Sequence, residues 1–546
     1  NNKRWSLTLE WIAGIVGLFI PLLLLFLLLP ALKHGPLSFY VGNRAAAVGI
    51  LQRFDGLSWL VDILGFTGAS AAWLYSRGSG PKGPLFTTLF LIQTAALAAT
   101  ASCADLFNLF VCLEVLGIAS YALTASSEKP AAFLAAFSYL AISTAAMGVF
   151  LLGVYGFYRL SGTLSYDGIA AALPDLDARE SVIAGLSLVC IVAATAVRVA
   201  VLPVYGWLPD AHASAPHPVS AVLSGVLIKT PLFALGRFMM DIAGTDSIAG
   251  SHVQDLFVIL GVSGTMTALI AVLLALSQKD AKRLLAYHSI SQIGYVVSAW
   301  ALASPLALAA AWLHAFSHSL FKGLLFLSVG AAVDAAGTRD VYLLRNARAS
   351  LRQAGDRYNL VFLSFAVAAL SIAAIPPFNG YASKSAVLAL YYGRWQYWIL
   401  NLAALGTLAS MIKLSRIFFS PFGSKKRAPG TVRYNSSYTL KHSTLLSLVI
   451  LAVFCLLGGL FARGLGAFTA DLLGSAHNPV KAALFLPETL IKSAPMILAG
   501  IILFMAAISP VGKALTRRIR ERQKSFSGLV LAFSAAVFIL GLSILR

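Results

Sequence analysis

The chain has 546 residues, of which 59% are hydrophobic and only 11% are charged, and its formal net charge is +20. A soluble domain of this length has no use for so much apolar surface. Apolar runs of about 20 residues recur along the chain, and an α-helix needs this length to cross a bilayer. The runs do not alternate polar and apolar residues, which argues against a membrane β-barrel. The composition therefore predicts an all-α, polytopic membrane protein.

In chain order, the predicted elements are fifteen membrane spans near residues 11–32, 56–76, 84–103, 105–125, 131–156, 182–203, 217–240, 254–277, 281–303, 305–333, 359–392, 397–419, 443–463, 494–511 and 526–545. Two of them contain helix breakers: Pro203 ends the sixth span, and Pro376, Pro377 and Gly380 interrupt the eleventh. In lipid, a broken helix is tolerated where it is buried or lines water, and in transporters it often marks the ion site. For the eleventh span, the alternatives are an ordinary kink or a loop between two short helices.

The distribution of basic residues predicts the topology. The N-terminus and every second loop after it carry 26 of the 41 Lys and Arg, and the loops on the opposite side carry 11. This asymmetry predicts that the N-terminus and the loops 334–358, 420–442 and 512–525 are cytoplasmic. Fifteen spans would then place the C-terminus outside. We expect the plasma (inner) membrane of a prokaryote, with some contact between basic loops and anionic lipid.

Cofactor chemistry is not expected from this chain. Its cysteines, Cys103, Cys112, Cys190 and Cys455, all fall in apolar spans and form no CxxC pair, which argues against a disulfide framework, a zinc site or an iron–sulfur cluster. No Rossmann or P-loop glycine pattern occurs either. We therefore expect no cofactor, no metal, no catalytic residue and no nucleic-acid partner. Electron transfer or nucleotide chemistry would have to lie on another subunit.

A few ionisable residues fall inside the apolar spans. Each costs about 2.5–3.5 kcal/mol on insertion scales, so it needs a partner or a water path, and such residues usually mark proton or ion routes. Four are basic and lie inside spans: Arg198, Lys229, Lys322 and Lys384. One acid, Glu114, lies in mid-span, and Asp62 is a weaker acidic candidate near a helix start.

His314, His318 and Lys322 are spaced four residues apart, which places them along one face of a single helix. Histidine titrates near neutral pH and burial favours neutral lysine, so such a row can pass a proton along. The alternative is a pair of structural histidines between helices. A metal site is disfavoured because Ala315, rather than Glu, follows His314 and no third ligand is evident. His288 and Asp210 are secondary candidates.

Four segments, in this order, resemble a known family: WLPDAHASAPHPVSAVLSGVLIKT, QKDAKRLLAYHSISQIGY, HAFSHSLFKGLLFLSVGAAVDAAGTRD and IPPFNGYASKSAVL. The chain is similar over about residues 84–420 to the antiporter-like membrane subunits of respiratory complex I, Mrp-type multi-subunit antiporters and membrane-bound hydrogenases. Within that family, RFDGLSWLVDIL and LLAYHSISQIGY most resemble the D-type member of Mrp antiporters.

The resemblance implies two inverted five-helix repeats with a broken helix in each. The expected divisions are N-terminal helices 1–83, a first repeat 84–277, a second repeat 278–420, each repeat with a proton half-channel, and accessory helices 421–546. It also implies roles in a mid-membrane proton relay: Glu114 as the interface glutamate, Lys229 as the central lysine, His314, His318 and Lys322 as the linking relay, and Lys384 as the lysine toward the far exit.

Three departures from the family pattern stand out. Arg198 occupies the position where the family usually has a lysine on the first broken helix, and arginine does not release its proton in proteins. We therefore expect Arg198 and Glu114 to act as an electrostatic switch. The chain begins at what resembles the second helix of the family, so the family's usual first helix is not found. Two extra spans follow the region that resembles the family.

Two functions remain open on the sequence. One is a subunit of a multi-subunit cation(Na+)/proton antiporter, with other membrane subunits as partners. The other is a proton-pumping subunit of an NADH–quinone oxidoreductase or membrane-bound hydrogenase complex, so an enzymatic context is undecided. A self-sufficient carrier or a scaffold is disfavoured, because the family works in assemblies.

Overall fold

The computed structural model describes residues 2–43, 49–245, 248–420, 438–480, 487–521 and 526–544. The predicted accessory region 421–546 is therefore covered only in part, and residues 421–437, 481–486 and 522–525 lie outside the described residues. Helices form most of the described chain, as the composition predicts.

The N-terminal part contains three helices and a short β-hairpin: α1 (Asn2–Gly14), α2 (Ile20–Leu32), β1 (Leu37–Tyr40), β2 (Leu51–Phe54) and α3 (Gly56–Gly78). A π-helical turn, Ile15–Phe19, joins α1 to α2. The strands are antiparallel and pair Leu37 with Phe54 and Tyr40 with Leu51. The all-α prediction missed this hairpin, because strands of four residues in a loop show too little alternation to be recognised.

The first predicted repeat begins with α4 and ends with α12. Its helices are α4 (Pro84–Ser102), α5 (Leu106–Ala125), α6 (Pro130–Ser161), α7 (Tyr166–Ala172), α8 (Ala178–Val199), α9 (Leu208–Ser214), α10 (His217–Val222), α11 (Thr230–Ala243) and α12 (Ile248–Ser277). A π-helical turn, Leu223–Leu227, separates α10 from α11.

The rest of the chain comprises α13 (Ala281–Trp300), α14 (Pro305–Ala336), α15 (Ala347–Gln353), α16 (Leu360–Ile372), α17 (Asn379–Ala389), α18 (Trp395–Ser415), α19 (His442–Leu460), α20 (Ala462–Leu472), α21 (Pro487–Ile508), α22 (Pro510–Glu521) and α23 (Phe526–Ile544). Helix α14 lies at the centre, where it packs against α3, α10, α13, α16, α17 and α19.

Among the described residues, eleven helices are long and apolar enough to cross a membrane, or twelve if α21 and α22, bent by 79°, count as one span. Every predicted span contains helix, but two of these helices are not among the eleven: α13, which carries Lys282, Arg283 and His288, and α23. The predicted span 359–392 consists of the shorter helices α16 and α17. The count of fifteen spans and the inverted repeats stay predictions.

The first break lies between α8, which ends at Val199, and α9, which begins at Leu208. Side chains satisfy the backbone groups that the break frees: the Trp207 indole N–H donates to the Val197 carbonyl (2.8 Å), and the Thr267 hydroxyl accepts from the Leu202 N–H (2.9 Å). Irregular backbone is therefore stabilised inside the protein, as a membrane requires.

The second break separates α16, which ends at Ile372, from α17, which begins at Asn379. Two glycines allow close backbone contact here. A Cβ at Gly380 would lie 1.7 Å from the Ser371 carbonyl oxygen, and one at Gly459, on α19, would lie 2.0 Å from that of Pro377. Helix α19 thus packs directly on the break and covers it.

Close packing of α6 on α8 gives a stability prediction. A Cβ at Gly153 would lie 2.4 Å from the Ser187 carbonyl oxygen, so Gly153→Val should destabilise the protein by roughly 1–3 kcal/mol through overpacking. Thermal unfolding in detergent measures the effect. Gly148→Val, on an exposed part of the same helix where an added Cβ would meet no atom within 4 Å, is the matched control and should have little effect. Equal melting temperatures for the two variants would contradict the packing.

Candidate functional site

An ion pair joins α5 to α8 inside the first predicted repeat. Arg198 Nη2 lies 2.5 Å from Glu114 Oε1, and the exposed fraction is 1% for the arginine side chain and 25% for the glutamate. Gly117, one turn along α5, makes the approach possible, because a Cβ there would lie 2.6 Å from Arg198 Nη1. The structure thus brings together the two residues that were paired from the sequence.

Lys229 is fully buried at the start of α11. Its ammonium donates to the carbonyl oxygens of Ser224 and Gly225, both at 2.6 Å. Both carbonyls belong to the π-helical turn that precedes the lysine, where the regular hydrogen-bond ladder of the α-helix is interrupted. The irregular turn therefore supplies the oxygen ligands that a buried ammonium requires.

Lys384 has a similar environment in the second break. It is buried, and its ammonium donates to the carbonyl of Ile372 (2.7 Å), the last residue of α16. The C-terminal end of a helix carries partial negative charge and exposes unpaired carbonyls, both of which favour a cation. The same ammonium lies 5.2 Å from the centroid of the Tyr295 ring.

Two serines lie between Lys229 and Lys322. The Ser224 hydroxyl lies 2.6 Å from that of Ser289 on α13, and the Ser289 hydroxyl also donates to the Leu285 carbonyl (3.2 Å). The Lys322 ammonium donates to the same carbonyl (2.5 Å). A row of close polar contacts thus lies between the two lysines, but its hydrogen bonds are not continuous. Lys229 binds the Ser224 carbonyl rather than its hydroxyl, and Ser289 and Lys322 both donate to the Leu285 carbonyl, which has no proton to pass on. Neither serine was predicted from the sequence.

The row of ionisable residues on α14 is buried throughout. The rings of His314 and His318 lie 6.5 Å apart, centroid to centroid. His314 Nδ1 lies 3.1 Å from the hydroxyl of Ser383, the residue before Lys384, so this end of the row reaches the second break. Neither ring nitrogen of His318 has a hydrogen-bond partner among the described residues.

The other predicted candidates form no hydrogen bond with this row in the described part of the chain. No hydrogen bond joins Arg198 to Lys229 in the described part of the chain. Asp210 is 53% exposed and pairs with Arg283 (2.6 Å) at the surface. His288 is buried on α13, and Asp62 is buried on α3; the two His288 ring nitrogens and Asp62 Oδ1 have no hydrogen-bond partner among the described residues.

The count of four buried basic residues was too low. The structure also buries Arg77, Arg237, Lys282 and Lys413. Arg77 lies just beyond the predicted span 56–76. The other three fall inside the predicted spans 217–240, 281–303 and 397–419, and the count of basic residues within spans left them out. Arg77 pairs with the Glu10 carboxylate (2.5 Å), and Arg237 pairs with the Asp55 carboxylate (2.7 Å). Lys282 donates to the Ala215 carbonyl, and Lys413 donates to the carbonyls of Leu276 and Gln278 (2.8 and 2.6 Å).

A polar cavity of about 640 Å³ opens among the helix ends on the side predicted to be cytoplasmic. His217 Nε2 lies within hydrogen-bond distance (3.2 Å) of Asp334 Oδ1 in its wall. Other ionisable residues of the wall are Lys129, Lys282 and Arg339. The helix ends on this side thus enclose a recess lined by charged side chains.

His212 lies between this cavity and the buried row. It precedes Ala213, a residue of the cavity wall, and is fully buried. Its ring stacks on Phe326 (4.9 Å between centroids), and the Lys322 ammonium lies 4.9 Å from the centroid of that same ring. The sequence contains His212 in the WLPDAH segment, but nothing in its spacing indicates that it packs beside Lys322.

Comparison with known proteins identifies the family. Residues 103–412, more than half of the chain, match the family model described as NADH:quinone oxidoreductase/Mrp antiporter, TM. The chain belongs to this family. It is an antiporter-like membrane subunit, as the sequence resemblance indicates.

Relatives occur in both branches of the family. The N subunit of an NADH-quinone oxidoreductase from Desulforudis audaxviator is 35% identical over 354 residues, which is 64% of this chain and 68% of that protein. The D-type member of a Na(+)/H(+) antiporter from Alkalihalophilus pseudofirmus is 27% identical over 419 residues, 76% of this chain and 82% of that protein.

A solved structure shares the fold. A chain in the Mrp complex from Dietzia sp. DQ12-45-1b superposes with a TM-score of 0.75 at 22% identity, and the match covers 98% of this chain. This chain spans only 57% of the length of that one. At this level of identity the likeness concerns the fold alone.

The Glu114–Arg198 pair gives a second stability prediction. Glu114→Gln should lower the thermal stability, because it leaves a guanidinium buried without its counter-charge; breaking a buried pair costs about 3–5 kcal/mol, and the exposure of Glu114 reduces that figure. Detergent melting curves give the comparison. The matched control is Asp210→Asn, which breaks an ion pair of nearly equal length at the surface, where such pairs contribute about 0–1 kcal/mol. A larger loss in the control would contradict the buried pair's role.

Proposed function

We propose that this antiporter-like subunit carries protons across the plasma membrane of a prokaryote, within a multi-subunit complex that exchanges them for Na+. The observation that carries the proposal is the row of buried ionisable residues, in which the Ser224–Ser289 hydroxyl contact lies between the carbonyls that bind Lys229 and Lys322. Proton transfer between these two lysines then needs water or side-chain rotation at both carbonyls. All of these residues are fully buried. Buried ionisable groups of this kind are costly in a membrane and usually mark ion or proton routes.

From Lys322 the route continues along α14. His318 and His314 follow at one-turn intervals, and the Ser383 hydroxyl bonded to His314 lies next to Lys384. The 6.5 Å between the two histidine rings exceeds a hydrogen-bond distance, so transfer there takes place through water or ring rotation. Lys384, bound to the end of α16, is the proposed last group before the exit.

Protons enter, in this proposal, from the cavity on the predicted cytoplasmic side. Its width and its charged wall admit water, and His212 lies between the wall and Lys322. Neither ring nitrogen of His212 has a protein partner in the described part of the chain, so both are available to accept or donate. This assignment agrees with the basic loops and with an N-terminus in the cytoplasm.

Glu114 and Arg198 serve as the electrostatic switch. Since arginine keeps its proton, the pair acts through its charges: when it separates, the potential at the buried lysines changes and with it their affinity for protons. The pair shares no hydrogen bond with Lys229 among the described residues, so its influence is electrostatic. Lys229, rather than Arg198, is then the first group to load and release a proton.

The surface around Glu114 supports a partner subunit. Val111, Val115 and Ile118 on the same helix are exposed by 40%, 40% and 60%, which makes an apolar face around a carboxylate that is itself one-quarter exposed. Such a carboxylate would be costly against lipid hydrocarbon. A neighbouring membrane subunit that covers this face removes that cost and places its own charges next to the switch.

A redox-driven proton pump is the second candidate. It is favoured by the relative of higher identity, which is a subunit of an NADH-quinone oxidoreductase. The antiporter relative matches a larger share of this chain at lower identity. In either complex the residues of this chain would do the same work, and the energy source would belong to the partner subunits.

The serine connection gives a specific test. In everted vesicles that contain the whole complex, Ser224→Ala should slow proton movement at least about tenfold, because it removes the hydroxyl contact that lies between the two lysines and leaves their charges in place. A pH-sensitive dye reports the movement. Thr265→Val is the matched control: it breaks a similar buried hydroxyl pair, Thr265 with Ser298 (3.0 Å), away from the lysines, and should leave transport near wild type. Normal transport in Ser224→Ala would refute the connection.

The charged residues are tested in the same vesicles. Lys322→Ala and Lys384→Ala should each abolish most proton movement, whereas Arg198→Lys should retain much of it and Arg198→Ala should lose most, since only the charge is needed there. Movement started by a Na+ pulse supports antiport, and movement that requires NADH supports the redox pump. Wild-type rates of proton movement in both lysine variants would contradict the relay. A wild-type rate in Arg198→Ala would contradict the switch.

A further inference from the structure

A second cavity, of about 410 Å³, lies at the end of α18, against α15. Its lining residues are Asn346, Arg348, Ala349, Arg352, Phe418, Phe419 and Ser420. The backbone N–H of Asn346 donates to the Phe419 carbonyl (3.1 Å), which fixes the two walls relative to each other. The cavity therefore lies where a predicted cytoplasmic loop meets the end of a membrane helix.

The two arginines of the cavity have no acidic partner in the part of the chain that the structure describes. Neither guanidinium forms a hydrogen bond or an ion pair with any described residue, although Arg348 Cζ lies 4.9 Å from the centroid of the Phe362 ring. Arg348 and Arg352 are one turn apart on α15, a spacing at which like charges repel. An anion held between them would relieve that repulsion.

Neighbouring residues add to the positive charge. Burial and the nearby Arg416 lower the pKa of Arg345, on the loop before α15, from its usual value, and Asp340 offsets only part of this effect. The surroundings of the cavity thus favour an anion more strongly than two arginines alone would.

Apolar side chains border the same cavity. Phe419 is 46% exposed, and Phe362 packs against Phe418 and Phe419 with ring centroids 5.4 and 5.5 Å apart. Leu363, next along α16, is 52% exposed. A basic cavity bordered by exposed apolar side chains at a helix end fits a molecule with a charged head and a hydrocarbon tail better than it fits a soluble anion.

We propose that this cavity binds the phosphate headgroup of an anionic phospholipid. Arg348 and Arg352 donate hydrogen bonds to the phosphate oxygens, since a planar guanidinium matches them in bidentate geometry. Asn346 and Ser420 provide further polar groups, and the acyl chains lie along Phe419 and Leu363. The site is separate from the buried lysine row and does not depend on the proposed transport function.

Native mass spectrometry of the purified full-length protein in nonionic detergent tests the site. With phosphatidylglycerol as the probe, the wild-type protein should bind this lipid in preference to phosphatidylcholine. The variant Arg348→Gln/Arg352→Gln should bind phosphatidylglycerol about thirtyfold more weakly, which corresponds to roughly 1 kcal/mol for each arginine. Arg357→Gln, at an exposed arginine of the same loop outside the cavity, is the matched control and should bind as the wild type does.

Two results would overturn the proposal. One is equal affinity for phosphatidylglycerol in the double variant and the wild type. The other is displacement of the lipid by millimolar inorganic phosphate, which would make this a site for a soluble phosphate. If the double variant cannot be purified, Ala349→Glu places a carboxylate in the cavity and should weaken binding as strongly; unchanged binding there would equally refute the site.

Discussion

An ammonium group inside a membrane protein must find oxygen ligands, and this constraint accounts for much of the architecture. Lys229 takes two carbonyls of a π-helical turn, and Lys384 takes the last carbonyl of α16. In a regular helix each carbonyl already accepts an N–H four residues on, whereas an irregular turn or a helix end leaves carbonyls free of that bond. The irregular helices and the buried lysines are therefore one feature: the break in the backbone makes the binding site for the charge.

Lys322 satisfies the constraint in another way. It binds a carbonyl on the regular helix α13 and shares that oxygen with the Ser289 hydroxyl. Ser289 also contacts the hydroxyl of Ser224, whose carbonyl binds Lys229. The same two serines therefore border both lysines. In the first predicted repeat, Arg198 instead has the Glu114 carboxylate as its partner, whereas Lys384, in the second predicted repeat, binds a carbonyl.

The sequence predicted those parts that depend on residue type and local spacing. Charged residues inside apolar runs identified Arg198, Lys229, Lys322 and Lys384, and the four-residue spacing placed His314 and His318 on one helix. Ser224 and Ser289 could not be found in this way, because serine is common in helices and their contact joins residues 65 positions apart. The burial of Lys282 and Lys413 was not predicted, because hydropathy cannot tell whether a helix end is covered by its neighbours.

The close contact of the two serine hydroxyls has a consequence for ion selectivity. Oxygen atoms 2.6 Å apart share a hydrogen, and no metal ion fits between them. If charge crosses at this point, it crosses as a proton that hops while the heavy atoms stay in place. Under the proposed antiport, sodium would then need a physically separate path, and in a multi-subunit assembly the surfaces between subunits offer room for one.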